Sequence, residues 1–361
     1  TGGAGCATCL PVQTWRADAS SGAAVAVTDR VGGENPQLAD AGNGSTTLAA
    51  LTTASTTPQS ITSATLSASS IAGLDFGYNF DAIVNTNNTG QGSLRQFITN
   101  ANTLGGDGSL AQAGFRADLA SGGTAALSSG VEQSIFMIAD GNAHPGLRAG
   151  LANQLSSGVA VIAVTSLLPN LSTALSIEGG SQTYNVGNTN NVTLGTGGTV
   201  GVGATLLPQL NGPEVQIQDG PTGASGLNYG LQITANSVTV RGLSVVGFGD
   251  NNSDASDGHA NIYVNNTTDG VFINQNALGI TALSMSNPGT LISYGDNIRV
   301  GGSNGGDSGT ITQNIIAFSD GNGIGFDAND NTDGWQIEYN EIRGNGVSKA
   351  DRNGIELDQN T

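Results

Sequence analysis

A single lysine, Lys349, and nine arginines stand against 28 acidic residues in this 361-residue chain, leaving a formal net charge of −18. Phosphate recognition relies on clustered Lys and Arg, so nucleic acid is excluded as a partner class, and an anionic membrane surface is disfavoured for the same reason. No run of about 18 apolar residues occurs, so no membrane-spanning helix is expected. Aromatics are only 5% and charged residues 11% of the chain. A disordered acidic chain would carry more charge and fewer aliphatics. Cys6 and Cys9, in G-C-A-T-C, are the only cysteines. Two thiols cannot form a four-ligand zinc site, and a redox C-x-x-C needs a βαβ context that is absent here. A disulfide is expected instead, within the chain or between chains, in an oxidising setting. His144 and His259 are isolated, which argues against a histidine metal centre.

What is abundant is glycine, 56 residues of it, together with Asn, Ser and Thr. In the last third these residues punctuate a repeat. SVTVRGLSVVG (237–247), GVFINQNALG (270–279), GTITQNIIAF (309–318) and GWQIEYNEIRG (334–344) align on Val240, Ile273, Ile311 and Ile337. Three residues on, the last three copies place Asn276, Asn314 and Asn340; two further on come Leu278, Ile316 and Ile342, matched by Val245 in the first copy. A second ladder, ANIYV, DNIRV, NGIGFD and NGIELD, is anchored on Ile262, Ile298, Ile324 and Ile355. Periods of this size mark stacked architectures. The alternation of two and the Asn, Gly and Asp boundaries favour strands over helices. Like strands recurring in register favour parallel stacking over the hairpins of a propeller. Side-chain amides stacked at one turn can bond along the column, and Asn tolerates the left-handed backbone of a sharp turn, so Asn276, Asn314 and Asn340 are expected to form a structural ladder.

The N-x-I and N-G-I-x-L-D pattern resembles the right-handed parallel β-helix repeat of pectin-lyase-like proteins. FDAIVNTNNTGQGSLRQFITNAN (80–102) resembles the segment that opens the solenoid in large bacterial surface β-helix proteins. The resemblance covers about residues 80–361 and implies an all-β, right-handed parallel β-helix whose end is covered by a strand, a loop and a short helix at 80–106. The residues read the same way independently. Ser93 and Gln96 have capping-box spacing, Leu94, Phe97, Ile98 and Ala101 make one apolar stripe, and Gly105 and Gly106 stop the helix.

Residues 1–79 lack the repeat and are expected as a separate strand-rich segment. SGAAVAVTDRV (21–31) alternates like a strand, 45–73 reads as loop or weak edge strands, and L-D-F-G-Y (74–78) resembles the last strand of Ig-like modules in bacterial surface adhesins. Either the tail of a β-sandwich or an extended linker fits. Between the ladders and this segment, 131–139 reads as a strand, Leu147–Leu155 as a short helix, and GVAVIAV, TALSIEGG, PEVQIQDG and GLQITAN as further rungs. The Gly/Thr/Asn tract 182–204 reads as a surface loop with strands of its own. The chain begins at Thr1 without methionine or signal peptide and stops in mid-rung, so it reads as processed, trimmed or a fragment. More chain, or another molecule, is expected to cover the open strand edges at the end.

For chemistry, polysaccharide cleavage is the enzyme class that the resemblance implies. Solenoid hydrolases of the polygalacturonase type carry N-T-D, D-D, G-H-G and R-x-K in that order. Here Asn331-Thr332-Asp333 follows Gly258-His259, D-D and R-x-K are missing, and a turn explains N-T-D as well. A lyase would need Ca²⁺-holding carboxylates and a basic residue; Arg241, Arg299 and Arg343 lie on or beside strands and could face one groove. Asp327, Asn329, Asn331 and Asp333 place oxygens at alternating positions, like the start of a Ca²⁺ loop without its glutamate, so Ca²⁺ is the one cofactor with a candidate site. Trp335, Tyr263 and Tyr339 could serve a glycan-binding adhesin if exposed, with packing in or capping of the core the favoured reading of Trp335. The leading expectation is a secreted bacterial surface or matrix protein with no catalytic residues, self-associating through exposed strand edges or binding a surface glycan. Polysaccharide lyase or hydrolase is the alternative.

Overall fold

The computed structural model describes residues 6–38, 59–221, 226–250, 258–265, 267–301, 308–327, 334–349 and 351–357. Its body is three parallel sheets. The first runs Glu132–Gln133, Leu175–Glu178, Thr239–Arg241, Val271–Asn274, Gly309–Thr312 and Trp335–Glu338. The second runs Ala160–Val164, Val215–Asp219, Ser244–Val246, Ala277–Leu278, Ile315–Ala317 and Glu341–Arg343. The third runs Tyr229–Ile233, Ala260–Asn265, Asp296–Gly301, Ile324–Phe326 and Ile355–Leu357. From Tyr229 onward the chain visits third, first and second sheet in unbroken rotation, and each return adds the next strand.

The registers put like residues on like. Ile177, Val240, Ile273, Ile311 and Ile337 are successive partners in the first sheet. Ile162, Ile217, Val245, Leu278, Ile316 and Ile342 are partners in the second. Leu231, Ile262, Ile298, Ile324 and Ile355 are partners in the third. All three columns enter one apolar cluster. β-Branched side chains suit this packing because their restricted χ1 matches the pleated surface. The irregular spacing of the repeats also has a physical basis. From Thr239 onward two residues separate each first-sheet strand from the second-sheet strand that follows, as in Gln275-Asn276, Gln313-Asn314 and Tyr339-Asn340, whereas the other connections differ in length.

Helix α1 (Leu94–Leu104) lies over the beginning of the stack. It buries Leu94, Phe97, Ile98 and Ala101 in the same cluster as Ile83, Phe136 and Ile162. Ser93 caps it by accepting the Gln96 N–H at 3.2 Å. The reciprocal arm of the expected capping box is missing: the Gln96 amide donates to Thr8 O and Asn100 Oδ1 instead. The helix ends at Gly105.

The segment before it forms a three-stranded antiparallel sheet with Val12–Asp18 between Val25–Val27 and Phe76–Asn79. Val12 and Val31 share a small core with Ala82, Val84, Ala139, Leu147, Leu151 and Val186. The expected strand or loop at 45–73 lies partly outside the described residues; of its remainder, Ala64 bridges Ala19.

Two expectations are corrected. Leu147–Leu155 is not a helix, because Gly150 sits at φ 80°, in the left-handed region, and interrupts it. The tract at 182–204 has strands of its own, as expected, among them Thr199–Val200 paired with Thr205–Leu206, but it is more than a surface loop. It begins within helix α2 (Gly180–Val186) and continues into the pair Thr193–Leu194 and Leu210–Asn211. Leu194 and Leu210 are fully buried against Ala277, Ile280, Ile315 and Ala317. The tract therefore covers the outer side of the second sheet.

Ile273 lies midway along its column and is fully buried, while Ile355 is 42% exposed. Ile273→Ala is expected to cost about 2–5 kcal/mol in denaturant unfolding, the range for truncating a buried Ile. Ile355→Ala should cost well under half of that; equal costs would contradict the stacking order.

Candidate functional site

The asparagine column is the most completely bonded polar feature of the stack. Asn314 Oδ1 accepts the backbone N–H and the Nδ2–H of Asn276 at 2.9 and 3.1 Å. Asn340 Oδ1 accepts the same pair from Asn314 at 2.9 and 3.0 Å. Each Nδ2 also reaches one rung back, to the carbonyls of Val240, Ile273 and Ile311. Leu243, which stands where the first copy lacks Asn, still donates its N–H to Asn276 Oδ1 at 3.1 Å. The left-handed residue of each corner is not the asparagine, as expected from sequence, but the residue before it: Gly242 at φ 69°, Gln275 at 56°, Gln313 at 55° and Tyr339 at 54°. The asparagine is needed inside as an acceptor for buried N–H groups, and its neighbour takes the conformational cost.

A second amide network was not anticipated. Asn261 Nδ2 donates to Asn297 Oδ1 at 2.6 Å, and Asn297 Nδ2 donates to Asn345 Oδ1 at 2.9 Å. Asn261 and Asn297 are fully buried. The signal was present in the recurring Asn-Ile pairs of ANIYV and DNIRV.

Arg241, Arg299 and Arg343 do not share a groove, because each belongs to a different sheet. Arg241 faces Glu178 at 3.6 Å, and Arg116, on the hairpin strand Phe115–Ala117, meets the same carboxylate at 3.7 Å. Burial raises the Glu178 pKa against the pull of Arg241. Arg343 lies over the Phe318 ring and 3.5 Å from Glu341.

Arg299 anchors the richest cluster, on the outer side of the third sheet. It contacts Asp296 at 3.0 Å and also binds Asp327. Burial pushes the Asp296 carboxyl up, while the two acids hold the Arg299 guanidinium charged. Tyr229 and Tyr263 pack at 4.9 Å between centroids, with His259 edge-on to Tyr229 at 6.4 Å. Burial, then the charge of Asp327, raises the Tyr229 phenol. A Cβ at Gly325 would collide with Asp296 and Arg299, so glycine leaves the space this ion pair fills.

For calcium, Asp327 is engaged by Arg299, and Asn329, Asn331 and Asp333 lie outside the described residues. Among the described residues no group of three or more His, Cys, Asp or Glu is arranged to hold a metal. Cys6 and Cys9 form an intrachain disulfide with Cα atoms 5.4 Å apart. His144 bonds Asp140 at 2.9 Å. Trp335 packs on the core with its ring edge-on to Phe326 at 5.8 Å, whereas Tyr339 is 58% exposed. No family model, no curated protein and no solved structure matches this chain.

At the capped end, Asp81 and Glu132 bring two buried carboxyl groups together. Burial foremost, then contact with Glu132, holds Asp81 far above its usual 3.8, and burial also raises Glu132. Glu214 is raised to about 7 by burial.

Two predictions follow from these groups. Asn314→Ala leaves the Asn276 N–H and the Ile273 carbonyl without their side-chain partner and should cost about 2–4 kcal/mol on the scale of one or two unsatisfied buried groups. Asn340→Ala, nearer solvent, should cost less by the same denaturation assay. For pH, a carboxyl raised on folding stabilises the fold fully below its unfolded value and loses that contribution as pH rises through the folded one. The melting temperature should therefore fall between pH 5 and 9. Asp81→Asn should flatten the part of that fall above pH 7, where Glu214 is already ionised; an unchanged slope would contradict the buried carboxyl pair.

Proposed function

We propose that the three sheets are the faces of one right-handed parallel β-helix, and that the protein is a secreted structural element of a bacterial surface or matrix. One observation carries this reading: in the repeated part of the stack, aliphatic residues run in unbroken columns while the corner amides bond to the chain itself. Side chains spent on holding rungs together favour a scaffold over a catalyst. Six strands at about 4.8 Å give the first sheet of the described residues a rise of about 24 Å.

Support for self-association comes from the far end. Trp335–Glu338, Glu341–Arg343 and Ile355–Leu357 each pair on one side only among the described residues. Ile355 is 42% and Leu357 62% exposed. Unpaired strand edges with apolar side chains are templates for a further strand, from more of the same chain or from another molecule; the occupant proposed here is a second copy. The net charge of −18 opposes close approach, so salt should favour it.

Light scattering should show the mass rising with concentration, more strongly at ~0.5 M NaCl, where the Debye length falls to a few ångströms. The double variant Ile355→Lys, Leu357→Lys should remain monomeric. A parent chain that stays monomeric throughout, or a variant that assembles equally well, would contradict edge-to-edge assembly.

A further inference from the structure

A groove of about 340 Å³ opens where the N-terminal antiparallel sheet meets the capped end of the stack. Its walls come from widely separated parts of the chain: Thr14 and Asn79 on that sheet, Gln112 and Phe115 beside the hairpin, Ile135 and Met137 below, Tyr184 and Asn185 on α2. The volume lies in the range of about 300–1,000 Å³ typical of small-molecule sites. We propose that it binds an uncharged saccharide.

Three features of the lining lead to that ligand class. The first is charge. In a chain of net charge −18, no Asp, Glu, Lys or Arg lines the groove. A uronate, a phosphate or a basic peptide would bring a charge with no counter-ion in the walls, and burying an unpaired charge is costly.

The second is an aromatic platform. Phe115 and Tyr184 stack with centroids 5.2 Å apart and planes at 29°, yet they are 46% and 45% exposed. A stacked pair left open to solvent offers flat apolar area at small conformational cost. The C–H face of a pyranose is flat and apolar in the same way, while its rim is all hydroxyl.

The third is the set of neutral polar groups around that platform. Asn79 is held rigidly: its Oδ1 accepts the N–H groups of Asp81 and Ala82 at 2.5 and 3.0 Å, and its Nδ2 donates to Gln112 Oε1 at 3.0 Å. The Asn185 Nδ2 donates to Phe136 O at 3.1 Å, which fixes the amide and leaves Oδ1 as an acceptor. The Thr14 and Tyr184 hydroxyls make no hydrogen bond among the described residues. Fixed amides and unused hydroxyls above an apolar floor of Ile135 and Met137 suit a ligand with hydroxyls at its edge and C–H groups on its face. Preorganised partners also lower the ordering cost of binding. This site is separate from the strand edges of the assembly reading and does not depend on it.

The test uses the full chain, with cellotriose, maltotriose and chitotriose as neutral probes and trigalacturonate as the acidic one, followed by calorimetry and saturation-transfer NMR. At least one neutral trisaccharide should bind with Kd of about 1 mM or tighter. Tyr184→Ala and Phe115→Ala should each weaken it by about tenfold or more. Circular dichroism should leave both variants folded, since each side chain is nearly half exposed. Leu206→Ala, at a 65% exposed position on the strand Thr205–Leu206 and outside the groove, should leave binding unchanged. Tyr184→Phe, which keeps the ring and removes only the hydroxyl, should weaken binding by less than Tyr184→Ala does. No binding by any neutral probe at about 10 mM, tighter binding of trigalacturonate, or affinity that survives both alanine variants would overturn the proposal.

Discussion

Aliphatic side chains stacked on their counterparts one strand away are the constraint from which the rest of this structure follows. A parallel ladder fixes the register of every strand against the last, so a residue suited to the interior at one level must be suited at all of them. Ile177, Val240, Ile273, Ile311 and Ile337 satisfy that condition in one sheet, and the other two sheets repeat it. A chain that keeps to such columns must turn sharply between sheets, and sharp turns strand backbone groups away from water. The corner asparagines answer that need by supplying an acceptor to the N–H of the preceding rung and a donor to its carbonyl. Columns and corners are thus two sides of one requirement: no polar backbone group can be left alone beside a dry core.

The same logic explains where the charged residues went. With few cations available, most described arginines are placed against carboxylates, fastening an excursion or neighbouring strands to a sheet. Arg116 ties its hairpin to Glu178, which Arg241 also meets; Arg299 joins Asp296 to Asp327 across adjacent strands. Glu341 receives the N–H and hydroxyl of Thr196 from the tract that covers the second sheet. These contacts hold the accessories on the stack. The groove beside Phe115 and Tyr184 differs from them in being lined without charge and in leaving its aromatic faces open.

How much was legible in the sequence follows from how local each feature is. The Ile and Val anchors announced themselves because stacking repeats one residue type at one position, and the structure pairs the same residues. Variable spacing hid nothing, because only the connections outside the two-residue corners change length. Local rules failed where the backbone had alternatives. Asn was the natural choice for the left-handed corner, yet Gln275, Gln313 and Tyr339 occupy it, because the asparagine amide is required inside. Leu147–Leu155 had helical composition, but one left-handed glycine outweighs it. Leu194, inside a Gly/Thr/Asn tract, and Leu210, just after it, were invisible as core residues, since only the far-off second sheet buries them. The groove could not be read at all: Thr14, Asn79, Gln112, Phe115 and Tyr184 share no spacing and meet only through the fold.

Methyl-to-methyl nuclear Overhauser contacts in an isoleucine-labelled chain test the stacked columns most directly. The columns predict contacts linking Ile273 to Ile311, Ile311 to Ile337, Ile262 to Ile298 and Ile298 to Ile324, each across more than two dozen residues of sequence. Their absence, or contacts that pair these strands in opposite directions, would contradict the stacked columns on which the assembly and function readings rest.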